Sequence, residues 1–151
     1  MGGRSSSDAG TWTGSAVARA VFPEESWFEA LGEAVAADAE MAVIGRWCTL
    51  DLALVANEET VLLRLREGRI SGVVPNPGMS YSWSVTLRGK REDWLTFLQP
   101  EPPPFYNDLL AMNGRVPSFS IEGDRAAFVR HLRPLSRLFR LAQLVGGHAR
   151  V

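Results

Sequence analysis

A chain of 151 residues with 46% hydrophobic and 22% charged residues has the composition of one globular domain, long enough to bury a real core. Its formal net charge of −1 excludes a bulk electrostatic pull toward nucleic acid or anionic lipid. A single cysteine, Cys48, excludes an intrachain disulfide, and with only two histidines, His131 and His148, a tetrahedral zinc site of sulfur and nitrogen ligands is not available.

Residues 1–15 are rich in Gly, Ser and Thr around a lone Trp12 and read as a flexible tail. They contain no apolar stretch of the kind a secretory signal needs. No apolar run anywhere approaches the ~20 residues of a membrane span, so the cytoplasm is the expected compartment. One domain is expected from Val17 to Val145, with residues 146–151 as a second tail.

The first element is a helix. Ser26 and Glu29 have the spacing of a capping box. Trp27, Leu31, Ala34, Val35 and Asp38 follow at helical intervals, and Gly45 is the expected stop. Strands come next: Leu50, Leu52 and Leu54 alternate with Thr49, Asp51 and Ala53, and Asn57-Glu58-Glu59 turns the chain. Val61, Leu63 and Leu65 alternate with Arg64 and Arg66 up to the Glu67-Gly68 turn, and Ile70 to Val74 is a third strand ended by Pro75-Asn76-Pro77-Gly78. Ser80 to Leu87 predicts a fourth, with Tyr81, Trp83, Val85 and Leu87 inward and Ser80, Ser82, Ser84 and Thr86 outward. Such short connections imply an antiparallel meander.

The period then changes. Arg91 to Leu98 predicts a helix that Pro100, Pro102, Pro103 and Pro104 forbid from continuing. Phe105 to Met112 predicts another, and Ser118 to Glu122 a short strand with Phe119 and Ile121 inward. After Gly123-Asp124 comes a helix with apolar face Phe128, Leu132, Leu135, Leu138, Leu141 or Ala142 and Val145, which Pro134 kinks or splits. The fold class expected is α+β: a mostly antiparallel five-stranded sheet covered by helices.

Several of these residues recur together in a known family. Gly45-Arg46-Trp47 leads into the first strand, Glu67-Gly68 makes a hairpin turn before a proline-containing loop, and Val85-Thr86-Leu87 runs into Glu92-Asp93-Trp94. Gly114 and a short strand then precede Ile121-Glu122-Gly123-Asp124 and the last helix. Over roughly residues 24–145 the chain resembles the sterol-carrier-protein-2 (SCP2) family. The resemblance implies a five-stranded sheet covered by helices, with an apolar tunnel between them for lipids, acyl chains or other apolar molecules. The chain departs from the family at the Pro100–Pro104 cluster and at Gly114 to Ile121, a longer stretch than usual, both near the expected cavity mouth.

No nucleophile elbow, P-loop, dinucleotide fingerprint or zinc-protease helix occurs, and no cofactor is expected. The candidate ligand-binding residues are Trp27, Leu31, Trp83, Trp94, Phe97, Phe105, Tyr106, Leu109, Met112, Phe119, Leu138 and Leu141. These are apolar and aromatic side chains on or beside the elements that would enclose a pocket. The segment from Phe97 to Met112, with Leu138 to Leu141, is expected to form its rim. Asp51, alone on an apolar strand, is expected to face solvent or to pair with an arginine of the next strand, Arg64 or Arg66, rather than act as an acid or base. His131 has no evident partner and reads as an ordinary helix histidine. The leading reading is a carrier of an apolar small molecule; the alternative is an enzyme that shapes an apolar substrate for isomerisation, cyclisation or hydrolysis. A third reading is a module that dimerises through the Phe128–Val145 helix.

Overall fold

The computed structural model describes residues 19–150. In chain order these form β1 (Arg19–Val21), α1 (Glu25–Ala37), α2 (Ala39–Ile44), β2 (Leu50–Ala56), β3 (Glu59–Arg66), β4 (Arg69–Pro75) and β5 (Val85–Gly89). Then follow α3 (Arg91–Phe97), α4 (Leu109–Arg115), β6 (Ser120–Gly123), α5 (Arg125–Arg130), α6 (Leu132–Val145) and β7 (His148–Arg150). The expected N-terminal tail, residues 1–15, lies outside the described residues.

The sheet has five strands in the order β4-β3-β2-β5-β6. Three pairs are antiparallel, as the short turns imply, but β2 and β5 run parallel, with Leu52 opposite Val85 and Leu54 opposite Leu87. The meander therefore ends at β4. Asn76 N–H donates to the Thr60 carbonyl and Ser84 N–H to that of Asp51, at opposite ends of the β2–β3 hairpin. Residues 76–84 thus run the length of the sheet to deliver β5 beside β2.

This geometry corrects the fourth strand. Val85 and Leu87 are buried as expected, whereas Tyr81 and Trp83 are 40% and 36% exposed. Residues 80–83 alternate perfectly but have nothing to pair with. β6 ends opposite Val85, so the chain ahead of it has no partner on that side, and against β2, which begins only two residues before Leu52, the last backbone bond is that of Ser84 N–H to the Asp51 carbonyl.

The helical expectations shift by a few residues. The first helix breaks at Asp38, whose carboxylate accepts from Met41 N–H at 2.8 Å and starts α2; α1 itself begins at Glu25 with no side-chain cap, so the Ser26 box is not formed. The helix expected from Phe105 starts instead at Leu109. Phe105 has φ 76°, a left-handed conformation that no helix accommodates, and Asp108 caps α4 by accepting from Ala111 N–H at 2.8 Å. The last helix divides at His131, because Pro134 has no N–H to offer the Arg130 carbonyl one turn back.

One face of the sheet carries the core: Leu50, Leu52, Leu54, Val61, Leu63, Leu65, Val85 and Leu87 pack under the helices. Between sheet and helices lies a chain of aromatic rings, Phe22, Trp27, Phe28, Trp94, Phe97, Phe119 and Phe139, with neighbouring centroids 5.0–6.3 Å apart. On the opposite face Ala53, Val55 and Leu62 are also buried. The apolar face of α5 and α6, including Phe128, Leu135 and Leu138, is covered within the chain.

Residues 146–150 do not trail off as the expected tail. β7 pairs antiparallel with β1, Gly147 N–H donates to the Leu98 carbonyl at 2.8 Å, and the Trp27 indole donates to the Gly146 carbonyl at 2.6 Å. These backbone contacts depend on chain proximity and leave no side-chain pattern in so short a segment.

Candidate functional site

A cleft of about 550 Å³ opens among the helices, lined by residues of the α3 end, the start of α4, α5 and α6. Its apolar wall is Phe97, Leu109, Leu110, Phe128, Leu132, Leu135 and Phe139. Polar groups come from both banks: Asn107 and Asp108 ahead of α4, and Ser136, Arg140 and Gln143 on α6. No strand residue lines it, which places it beside the aromatic layer rather than between sheet and helices, where the tunnel was expected.

The local sequence explains each wall. In α6, residues 132, 135, 139 and 143 recur at three- and four-residue intervals and form one stripe, turned toward the segment 107–111. On the other side, the prolines prevent α3 from continuing and Asp108 restarts the helix, leaving Leu109 and Leu110 facing α6. The floor is nearly closed, since Phe97, Phe128, Leu135 and Phe139 are each no more than 3% exposed, while Leu110 at the mouth is 50% exposed.

Two side-chain hydrogen bonds hold the banks together. Gln143, 2% exposed, donates from Nε2 to the Asn107 carbonyl at 3.2 Å, and Arg140 donates to the Pro100 carbonyl at 2.9 Å. Arg140 also donates to Gln143 Oε1 at 3.1 Å. A buried carboxamide must have such partners, because an unpaired one costs ~1–3 kcal/mol.

Of the expected ligand-binding residues, the structure places Phe97 and Leu109 in the cleft wall. Trp27, Leu31, Trp94, Met112, Phe119, Leu138 and Leu141 lie in the core instead. Tyr106 is half-buried against that core, and Trp83 and Phe105 are exposed. Arg115 stacks over the Phe105 ring at 5.0 Å. The helix chosen for the rim is the one that forms it, but by another face. Leu138 and Leu141 point inward while Ser136, Phe139, Arg140 and Gln143 border the cleft. The signal was available in the spacing Phe128, Leu132, Leu135, Phe139, which the competing run through Leu138 and Leu141 obscured.

The other titratable candidates are structural. Asp51 accepts from Arg66 at 2.8 Å and lies 3.5 Å from Arg64. Burial alone would raise its pKa, but the hydrogen bond and charge of Arg66, joined by Arg64, outweigh it and hold the carboxyl below the usual aspartate range. Such a group stabilises the fold above its unfolded pKa, and the contribution is lost as pH falls through the lowered folded value. Asp51→Asn is expected to cost about 1 kcal/mol at neutral pH, as a half-exposed pair does. The gap between wild type and variant in urea melts should close only below the ordinary aspartate pKa; a gap that stays constant with pH would show that the charge is irrelevant. His131 is lowered by burial and by Arg130, and burial pushes the Cys48 thiol up to about 11, leaving it unreactive. Among the described residues no cluster of His, Cys, Asp and Glu could hold a metal ion, and no helix is long and apolar enough to cross a membrane.

No protein-family model and no curated protein matches this chain. Its likeness to solved structures is one of fold. The crystal structure of sterol carrier protein 2 shares 18% identity and a TM-score of 0.63, covering 80% of this chain and 95% of that one. The solution structure of TT1886, a possible sterol carrier protein from Thermus thermophilus, shares 16% identity and a TM-score of 0.62, covering 82% of this chain and 88% of that one. The UbiJ-SCP2 ubiquinone synthesis protein shares 13% identity and a TM-score of 0.51, covering 77% and 87%. The chain therefore has the SCP2-like fold.

Proposed function

We propose that this SCP2-like domain binds an apolar small molecule, such as a lipid or acyl chain, in the cleft beside α6, and acts as its carrier. The observation that carries the reading is the lining: a largely hydrocarbon wall from Phe97 to Phe139 with a polar margin at Ser136, Arg140 and Gln143. Such a surface is suited to hold an apolar body and orient one polar end. The name of the sterol carrier protein of like fold supports the same class of ligand.

A ligand enters by parting the two banks. The links that resist are the Gln143–Asn107 and Arg140–Pro100 hydrogen bonds, each worth about 0.5–1.5 kcal/mol net, more for the charged donor. Hydrocarbon burial at roughly 25 cal/mol per Å² offsets that cost with a modest contact area. The filled aromatic layer between sheet and helices stays intact.

A fluorescent fatty acid, displaced by candidate lipids, tests this reading. Binding is expected, with slowed hydrogen exchange over Leu109–Met112. Ser136→Phe places a ring in the mouth from an exposed position and should weaken binding at least about tenfold while leaving the melting temperature nearly unchanged. A probe panel that finds no binding, or a Ser136→Phe protein that binds as wild type does, would remove the cleft from consideration.

A further inference from the structure

We infer that the groove between α1 and β4 is a docking site for an extended, basic segment of a partner protein, which adds to the free edge of the sheet. The groove has a volume of about 260 Å³ and shares no lining residue with the cleft beside α6. Glu25, Phe28, Glu29 and Gly32 of α1 form one side, and Ile70, Ser71, Gly72 and Val73 of β4 form the other.

The sheet has two edges, and they are treated differently. At β6, Asn113 of α4 accepts from the Ile121 N–H at 3.0 Å and covers the edge. β4 is paired on one side alone, with β3, and its other side makes no main-chain bond among the described residues. An open edge of this kind is a template for another strand. Ser71 is bulged, standing between Ile70 opposite Leu65 and Gly72 opposite Arg64. The bulge limits the new ladder to a few residues, which suits a weak, reversible contact.

The helix determines what the incoming strand must carry. Glu24, Glu25, Glu29 and Glu33 are all exposed, and residues 24–37 contain no Lys or Arg. None of the four is in an ion pair among the described residues. The one cation of β4, Arg69, lies outside the groove lining. Glu25 and Glu29 stand about 6 Å apart along the helix axis, close to the ~6.6–6.8 Å between alternate residues of a strand. Lys or Arg at alternate positions of the segment therefore meets one carboxylate each. Phe28 with the half-buried Ile70 and Val73 gives the groove an apolar floor.

Gly32 provides the room. A Cβ there would meet nothing within 4 Å, so this glycine, which weakens a helix relative to alanine, has no packing reason among the described residues. A second copy of this chain is the poorer occupant. Pairing β4 with its own copy about a two-fold axis brings Glu25 and Glu29 of both molecules together, and like charges oppose it.

The test uses the full chain and the fluorescence anisotropy of a labelled peptide of alternating Lys and Val. Binding is expected, and it should fall as salt is raised. A peptide of alternating Lys and Gly, equal in charge but poor at forming a strand, should bind at least about tenfold more weakly. Glu25→Gln with Glu29→Gln should weaken the Lys-Val peptide about tenfold. Gly32→Leu, a better helix former whose side chain enters the groove, should weaken it as much with no loss of stability in urea. Neither change touches the cleft, so binding of the fluorescent fatty acid stays as in wild type, and the two readings fail separately. No binding of the Lys-Val peptide, equal binding of the Lys-Gly peptide, or variants that bind as wild type does would each overturn the inference. Self-association that Gly32→Leu abolishes, with no peptide bound, would assign the edge to a second copy instead.

Discussion

Replacing Trp94 by alanine is expected to cost about 3–5 kcal/mol, the loss seen when a large buried aromatic leaves a void. Trp94 is fully buried, and its ring meets Phe22, Phe97, Phe119 and Phe139 at centroid distances of 5.2–6.3 Å. Its indole N–H donates to the Val55 carbonyl at 2.8 Å, tying α3 to the sheet. The variant loses that bond as well, and the orphaned carbonyl adds a penalty of roughly 1–3 kcal/mol if water cannot reach it. Trp83→Ala, by contrast, should remain within about 1 kcal/mol of wild type, since the ring is partly exposed and its N–H bonds only the Thr86 hydroxyl at 3.0 Å. Equilibrium unfolding in urea separates the two. If Trp83→Ala proved the more damaging, the strand boundary at Val85 would be wrong and the core would extend over residues 81–83.

The second large effect is expected at a glycine. Gly68 has φ +77°, and a Cβ built there would sit 2.6 Å from the Gly45 carbonyl oxygen and 2.8 Å from its Cα. Gly68→Ala combines ~1–2 kcal/mol of left-handed backbone cost with ~1–3 kcal/mol of overpacking against main chain that cannot move aside. A total of about 2–5 kcal/mol is expected. Gly32, in the middle of α1 with nothing within 4 Å, is the control, where alanine should stabilise by roughly 0.5–1 kcal/mol. Chemical denaturation of both variants reads the difference, and a Gly68→Ala protein as stable as wild type would show that the two backbones do not touch.

That contact also explains a feature of the sequence. Gly45-Arg46-Trp47 and Glu67-Gly68 are remote in the chain, yet their glycines meet backbone to backbone, which is why neither position has room for a side chain. Gly123, in the Ile121-Glu122-Gly123-Asp124 run, has φ +94° and would bring a Cβ within 2.5 Å of the Ser84 carbonyl. The pieces of the resemblance that contain Gly45, Gly68 and Gly123 are thus close approaches of main chain, whereas Gly114 has nothing within 4 Å.

The sequence by itself determined the local elements whose signals are local. The alternation in β2 and β3, the Glu67-Gly68 turn, the proline stop after α3 and the Gly123-Asp124 entry into the last helices all rest on neighbours a few residues apart. Asp51 with its arginines was legible too, because a hairpin brings its own strands into register, setting Asp51 opposite Arg64. Tertiary structure alone decided the rest. The parallel pairing of β5 with β2 depends on where a long link crosses the sheet, and that choice left Tyr81 and Trp83 without a partner strand. The β1–β7 pairing is held by main-chain hydrogen bonds, which side-chain pattern does not encode. On α6, Leu138 and Phe139 are equally apolar and differ by about 100° around the axis. Only the packing of the 107–111 segment against one of those faces made it the wall of a cleft.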